Sequence, residues 1–192
     1  VKVIEEGTFS ECTSLKQILI PNSVVKISDN AFEFCSSLSS IQIPSSVTYI
    51  GVKAFFKCDS LIKIDIHSVT TLKDFAFNNC GSLKQVNAPS VTSIGEAVFG
   101  GCSSLTKIAL SDSLTYIGRA AFFRCSSLTQ LKIPSSVTTI GDSAFKECSS
   151  LSQIDLPPSL TEIEDSVFCK CTSLKQLKIP TSVTRIGSCA FL

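Results

Sequence analysis

Cysteine gives this chain its greatest potential for chemistry, because its 192 residues include ten cysteines. Thiols at fixed spacings form disulfide bonds or bind zinc. Cys169 and Cys189 are irregularly placed, and Cys169-Lys170-Cys171 is a CxC pair without the second pair that a zinc site needs. The other eight recur every 22 or 23 residues: Cys12, Cys35, Cys58, Cys80, Cys102, Cys125, Cys148 and Cys171.

The other groups that could support catalysis are sparse. His67 is the only histidine, and without an evident partner for a nucleophilic pair we expect it to be an exposed corner residue. Asp65 and Asp155 are four repeats apart, or roughly 19 Å at the spacing of stacked strands. Glycosidic acid–base pairs need about 5–9.5 Å. With no GxGxxG motif or phosphate loop either, the sequence predicts no enzyme, no cofactor and no metal site.

The cysteine period belongs to a repeat that runs through the whole chain. One leucine marks each unit: Leu15, Leu38, Leu61, Leu83, Leu105, Leu128, Leu151 and Leu174. A phenylalanine does the same: Phe9, Phe32, Phe55, Phe77, Phe99, Phe122, Phe145, Phe168 and Phe191. A fixed period of this size indicates a solenoid. We expect residues 1–192 to form a single array of about eight repeats, with half repeats and no capping units at the ends, within a longer protein.

Each repeat predicts one strand and one turn. Residues 128–133, LTQLKI, alternate outward and inward side chains, and Pro134 ends this strand. Eight such strands would stack as one parallel sheet, roughly 38 Å long at about 4.8 Å per rung. The β-branched Thr138 suits a second, very short strand on the opposite wall. Residues 142–148 then predict one or two helical turns, from which Phe145 points inward to join a spine of stacked rings.

Stacking also predicts the state of the thiols. Equivalent Cα atoms would lie about 4.8 Å apart. Parallel stacking keeps their Cβ atoms equally far apart, whereas a disulfide needs about 3.8 Å. We therefore expect the eight regular cysteines to be buried, reduced thiols that act as small hydrophobic side chains. We expect Cys169 and Cys189 to be partly exposed free thiols.

Composition argues against several classes of partner. The chain has 17 Lys and Arg against 16 Asp and Glu, so the strong field that attracts nucleic acid or anionic lipid is not expected. No apolar segment approaches the ~20 residues of a membrane-spanning helix. We therefore expect neither nucleic-acid binding nor direct membrane insertion.

The outward strand positions define a candidate binding face. It is polar and has no aromatic residue, so it would bind weakly and through many repeats at once. The candidate residues are Gln17, Gln42, Lys63, Asp65, Gln85, Asn87, Lys107, Gln130, Lys132, Gln153, Asp155, Gln176 and Lys178. Exposed aromatic residues are expected elsewhere, at Tyr49, Tyr116, Phe56 and Phe123.

The repeat motif L-x-x-I-x-I-P-x-S-V-x-x-I-G-x-x-A-F-x-x-C-x-S resembles the BspA-like, or treponemal-type, leucine-rich repeat. The resemblance covers the whole chain, with Pro after the strand where other leucine-rich repeats have Asn. It implies a right-handed, β-rich leucine-rich-repeat solenoid in large proteins at the surface of bacteria and mucosal protozoa. Such proteins resemble adhesins, some of which bind host matrix proteins or other microbial cells. No binding residue transfers from the family.

Two functions follow as hypotheses. The first is a non-catalytic recognition or adhesion module on a cell surface, with a protein ligand that could be a host matrix protein or another surface protein. The second is an intracellular repeat scaffold, which ten unpaired cysteines and the absence of an Asn-x-Ser/Thr sequon would suit. A signal peptide or membrane anchor in the full-length protein would decide for the first. Uncapped ends also predict weak end-to-end self-association.

Overall fold

The computed structural model describes all 192 residues as a parallel β-solenoid of about eight turns. Two walls of short strands enclose the core. The wall that carries the predicted strands, here called the strand wall, consists of β2 (Gln17–Leu19), β4 (Ser40–Gln42), β6 (Lys63–Asp65), β8 (Gln85–Ala88), β10 (Lys107–Leu110), β12 (Gln130–Lys132) and β14 (Gln153–Asp155). The opposite wall consists of β1 (Val3–Ile4), β3 (Lys26–Ile27), β5 (Tyr49–Ile50), β7 (Thr71–Leu72), β9 (Ser93–Ile94), β11 (Tyr116–Ile117), β13 (Thr139–Ile140), β15 (Glu162–Ile163) and β16 (Arg185–Ile186).

The two walls differ in continuity. The opposite wall forms one seven-stranded parallel sheet from β1 to β13, followed by the pair β15–β16. The strand wall is divided into three sheets: β2–β4, β6–β8–β10 and β12–β14. Residues 174–179, which the sequence predicts to be a strand, form none. The second short strand was therefore predicted correctly, but the expected continuous sheet lies on the opposite wall.

The predicted helical turns are wrong. Residues 142–148 and their equivalents, here called the turn corner, form tight turns, and the chain contains no helix that could cross a membrane. Ser143 and Glu147 have positive φ values of 56° and 63°, which no α-helix contains. Alternate amides then point along the solenoid axis. Ser143, Phe145 and Glu147 donate N–H bonds of 2.9, 3.0 and 2.8 Å to carbonyls of the next repeat.

The same three bonds recur at all eight junctions between repeats. The amides between them bond within the turn, as in Lys146 N–H to the Ser143 carbonyl at 3.0 Å. Left-handed backbone conformations are unfavourable for residues other than glycine and persist only where surrounding structure fixes them. Here the bonds to the next repeat provide that constraint. A continuous ladder of main-chain bonds therefore replaces the predicted helix.

The core contains the predicted spine of nine phenylalanine rings. Consecutive rings stack with centroids 5.1 to 5.8 Å apart from Phe9 to Phe191. The seven rings between these two ends are almost completely buried. Each buried Phe side chain stabilises the fold by about 1.5–3 kcal/mol, and stacked pairs add about 0.5–1.5 kcal/mol. Phe9 and Phe191 have a neighbouring ring on one side only.

Six of the eight recurring serines bond to the preceding repeat at the corner that follows the strand wall. Ser136 Oγ donates a hydrogen bond of 2.6 Å to the carbonyl of Leu114 in the preceding repeat, and Ser182 does the same to Leu160 at 2.7 Å. These bonds link neighbouring repeats where a corner interrupts the ladders.

Candidate binding surface

The candidate residues form one exposed face. All thirteen side chains are exposed and lie on the strand wall or on its continuation at residues 176–178. Strand pairing sets their neighbours: Lys63, Gln85 and Lys107 follow one another in register, as do Asp65 and Asn87. The flat wall thus presents polar side chains at the rung spacing of the solenoid.

The strand wall opens between β10 and β12. No strand pairing joins them, and a shallow groove of about 310 Å³ lies across the gap. Ile108 is half-buried beside the groove, whereas its equivalents Ile64 and Val86 are each only 3% exposed. The groove therefore combines an apolar floor with a polar rim. It is lined by Thr106, Lys107, Ile108, Gln130, Leu131, Lys132, Gln153 and Asp155.

His67 has a partner that the sequence analysis did not identify. The Asp65 carboxylate accepts a bond from the His67 main-chain amide at 3.1 Å, lies 3.3 Å from the His67 imidazole, and accepts a 3.0 Å bond from Asn87. The imidazole is 46% exposed at its corner, as predicted. Its only side-chain partner is Asp65, so the pair lacks a hydroxyl or thiol nucleophile. No three His, Cys, Asp or Glu side chains are grouped so as to bind a metal ion.

The regular cysteines form a buried column of free thiols, as predicted for all but the first. Each thiol from the second repeat onward also donates a hydrogen bond to the phenylalanine carbonyl of the preceding repeat. Cys125 Sγ lies 3.2 Å from the Phe99 carbonyl oxygen, which also accepts the Cys102 amide at 3.1 Å. The column thus links repeats as well as filling the core.

Burial raises the pKa of these thiols. Loss of solvation raises the pKa of Cys35 and Cys171 to about 11 and that of Cys102 to about 12. Burial likewise raises the pKa of Cys80 and Cys125 well above the usual range. Because the thiolate is the reactive and metal-binding form, these cysteines are poor nucleophiles and poor ligands at neutral pH.

Two predictions about cysteine exposure are wrong. Cys12 is exposed, because it belongs to the first turn corner and has no preceding repeat against which to pack. Cys169 is buried at 4% exposure. Its position, next to the spine phenylalanine, buries small residues such as Gly100 but leaves the larger Phe56 and Phe123 half-buried. Cys189 is exposed, as predicted.

A second surface, on the turn corner, was not predicted. Glu147 accepts a 2.7 Å bond from Arg124 in the preceding repeat and lies 3.6 Å from Lys170 in the next. The hydrogen bond from Arg124 lowers the pKa of Glu147. With Ser126 and Ser149, these side chains line a groove of about 470 Å³. Its charges satisfy one another, so it is a weaker candidate for a ligand site.

Aromatic side chains also cluster at the turn corner. The half-buried Phe34 and Phe56 meet edge to face at 5.5 Å, and Lys57 Nζ lies 5.4 and 5.8 Å from their ring centroids. Phe34 has a φ of 58°, an unusual value for a bulky residue. The sequence indicated Phe56 as exposed but gave no sign of Phe34, because its position holds charged residues, asparagine or glycine in other repeats.

Comparison with known proteins identifies the repeat. Profiles of the BspA type leucine rich repeat region match the chain in six copies, over residues 1–102 and 70–192. A comparison with curated proteins finds no match.

Solved structures share the fold. A leucine-rich cell surface protein from Faecalibacterium prausnitzii is 33% identical, with a TM-score of 0.80 over 100% of this chain and 62% of its own. A leucine-rich repeat protein from Bacteroides ovatus is 32% identical, with a TM-score of 0.76 over 94% of this chain and 53% of its own. The leucine-rich repeat protein of T. pallidum is 30% identical, with a TM-score of 0.61 over 90% of this chain and 73% of its own. The chain thus spans less than two thirds of the first two of these proteins.

Proposed function

Because the chain belongs to the BspA-type leucine-rich repeat family, we propose that it is a non-catalytic recognition or adhesion module that binds a protein partner at a cell surface. The observation that carries the proposal is the exposed strand wall, held on a solenoid whose turn corner is bonded at every junction. One of the related structures is described as a cell surface protein, which supports this location.

The partner would sit across the gap between β10 and β12. Protein interfaces combine an apolar centre with a polar rim, and the groove there has Ile108 at its floor and Gln130 and Gln153 at its edge. The face on either side repeats similar polar groups from rung to rung. We propose that residues 1–192 act as one array, in which several weak contacts add up to useful avidity.

Adhesion to a matrix surface tests this proposal. Beads carrying the chain are applied to wells coated with basement-membrane extract. The extract is first treated with heparinase, which removes heparan sulfate and leaves the protein ligands. Replacing Gln130→Arg and Gln153→Arg fills the groove with long side chains and adds two positive charges. We expect at least a tenfold loss of bead retention, because the apolar floor becomes inaccessible.

The matched control is Ser93→Arg with Thr139→Arg, which adds the same charge to exposed positions of the opposite wall. This variant should adhere like the unmodified chain. Equal losses in both variants, or unchanged adhesion of the groove variant, would contradict a protein site on the strand wall. Circular dichroism confirms that each variant is folded.

The buried thiols favour a second function, an intracellular repeat scaffold. All ten cysteines are free, and proteins with free cysteines are more common in reducing compartments than on cell surfaces. Antibody labelling of intact and permeabilised cells of the producing organism separates the two locations. Labelling only after permeabilisation would support the scaffold and exclude the adhesion module.

A further inference from the structure

Charge is segregated on this molecule although its total is nearly zero. The strand wall and its continuation at residues 176–178, taken with the residue that precedes each segment, carry seven lysines and two aspartates, a formal charge of +5. The remaining ten basic and fourteen acidic residues give −4, which accounts for the net charge of +1. The lysines are Lys16, Lys63, Lys84, Lys107, Lys132, Lys175 and Lys178, and all are exposed. We call this surface the basic face.

The lysines of the basic face are unneutralised. None of them forms an ion pair, and none lies over an aromatic ring. Asp65 is engaged by His67 and Asn87, and Asp155 makes no ion pair. By contrast, four of the ten positive charges elsewhere pair with carboxylates across repeats: Arg119, Arg124, Lys170 and Arg185.

Four of the lysines occupy consecutive rungs at the middle of the chain: Lys63, Lys84, Lys107 and Lys132. Paired rungs are about 4.8 Å apart, so Lys63, Lys84 and Lys107 span roughly 10 Å along the solenoid axis, and Lys132 follows across the gap between β10 and β12. They are staggered across three columns, with the amides of Gln85 and Gln130 between them. Unpaired like charges at this density disfavour folding and concentrate the positive field over one flat surface.

We propose that the basic face binds an anionic polysaccharide, a chain of sulfated or carboxylated sugars laid along the solenoid axis. Regularly spaced ammonium groups match regularly spaced anions, and the glutamine amides can hydrogen-bond sugar hydroxyls. This activity is additional to the protein recognition proposed above, and the two sites share Lys107, Gln130 and Lys132.

Other anionic partners fit the basic face less well. Single-stranded nucleic acid is usually bound by aromatic platforms, and the face has no aromatic residue. It also has no arginine, the residue that best matches phosphate geometry. A protein would bind the basic face only through weak, repeated contacts, because the Trp, Tyr and Arg anchors of strong interfaces are missing. A polymer bound through many point charges requires none of these groups.

Heparin is the probe for this proposal. Calorimetric titration of the chain with size-defined heparin is carried out over a series of NaCl concentrations. The variant Lys63→Gln, Lys84→Gln, Lys107→Gln, Lys132→Gln should bind at least tenfold more weakly. Its slope of log affinity against log salt should fall by roughly three, by analogy with counterion release from nucleic acid. The control Lys2→Gln, Lys26→Gln, Lys73→Gln, Lys146→Gln removes the same charge outside the basic face.

The outcomes separate the possible ligands. Strong heparin binding that the control retains and the basic-face variant loses supports the proposal. Polyglutamate or duplex DNA binding as tightly as heparin would overturn the assignment to a polysaccharide. Equal loss in the two variants, or heparin binding that does not depend on salt, would overturn the assignment to this face.

Discussion

The turn corner and the strand wall both join neighbouring repeats, but the main-chain bonding between repeats is far more regular at the turn corner. At the turn corner every repeat donates three main-chain bonds to the next, and the phenylalanine rings stack without interruption. On the strand wall, pairing stops between β4 and β6, between β10 and β12, and after β14. Main-chain bonding between repeats is therefore more regular at the turn corner than on the strand wall. This leaves the strand wall free to open and to carry unpaired charge.

We expect alkaline pH to lower the free energy of unfolding through the buried thiols of the turn corner. The unfolded chain loses its thiol protons near pH 8.5, whereas the buried thiols keep theirs to about pH 11 or above. The stabilisation that comes from the protonated thiols is therefore fully present below pH 8.5 and is lost as the pH rises towards the pKa of the folded state. Each thiol contributes about 1.4 kcal/mol per pH unit, so seven remove roughly 10 kcal/mol per unit. We expect unfolding by about pH 10, measured by circular dichroism.

Exposed thiols provide the control for this titration. The matched control replaces Cys12 and Cys189, which are both exposed, with Ala. Replacing the buried Cys80 and Cys102 with Ala should reduce the slope by about 2.8 kcal/mol per pH unit. A chain that stays folded at pH 11 would show that the thiol column does not set alkaline stability.

Single substitutions should show the same contrast between the two regions. Phe99→Ala removes a fully buried central ring and should lower the free energy of unfolding by about 3–5 kcal/mol. Gln153→Ala on the strand wall should change it by less than about 0.5 kcal/mol, because the side chain is exposed. Phe9→Ala should lie between them, since that ring has one stacked neighbour. Urea denaturation measures all three, and equal losses for Phe9 and Phe99 would contradict nearest-neighbour cohesion.

The smallest effect concerns the last repeat. Ile186, Phe191 and Leu192 are 50%, 46% and 77% exposed, so the final rung presents core-type side chains to solvent. We expect weak end-to-end association of this chain, seen as a concentration-dependent sedimentation coefficient. Phe191→Ser with Leu192→Ser should abolish it, whereas Leu19→Ser, an exposed strand-wall change, should not. A chain that remains monomeric at high concentration would exclude this contact.

The core was the part of the fold most open to prediction. Residues equivalent to Phe99 and Cys102 occur in repeat after repeat. Each of these side chains packs against its own equivalents in the repeats before and after it, so the sequence period predicts both its burial and its stacking. The candidate face followed from the same alternation, since each polar strand position must point away from the apolar ones.

The turn corner could not be predicted in the same way. Its left-handed positions hold residues as different as Asn30, Phe75, Ala97 and Ser166, so no local preference marks them. Bonds to the next repeat, rather than residue type, impose this backbone. Local propensity therefore favoured a helix that tertiary hydrogen bonding replaces.

The interruptions in strand pairing on the strand wall could not be predicted from the sequence either. Ile108 and Leu131 follow the same alternation as the paired Ile64 and Val86, and yet their strands separate. The charge segregation was detectable from the sequence, but only by including Lys16, Lys84 and Lys175. These residues precede β2, β8 and the continuation of the strand wall at residues 176–178, and they lie outside the two outward columns of the alternation.

The division of the strand wall has a mechanical consequence. Bonds between repeats run along the solenoid axis, so a pulling force in that direction loads every bond at a junction together. The junctions at β4–β6 and β10–β12 and the one after β14 lack strand-wall pairing and share the load among fewer bonds. Under tension the array would part there, into blocks of two or three repeats that each keep their rings and thiols packed.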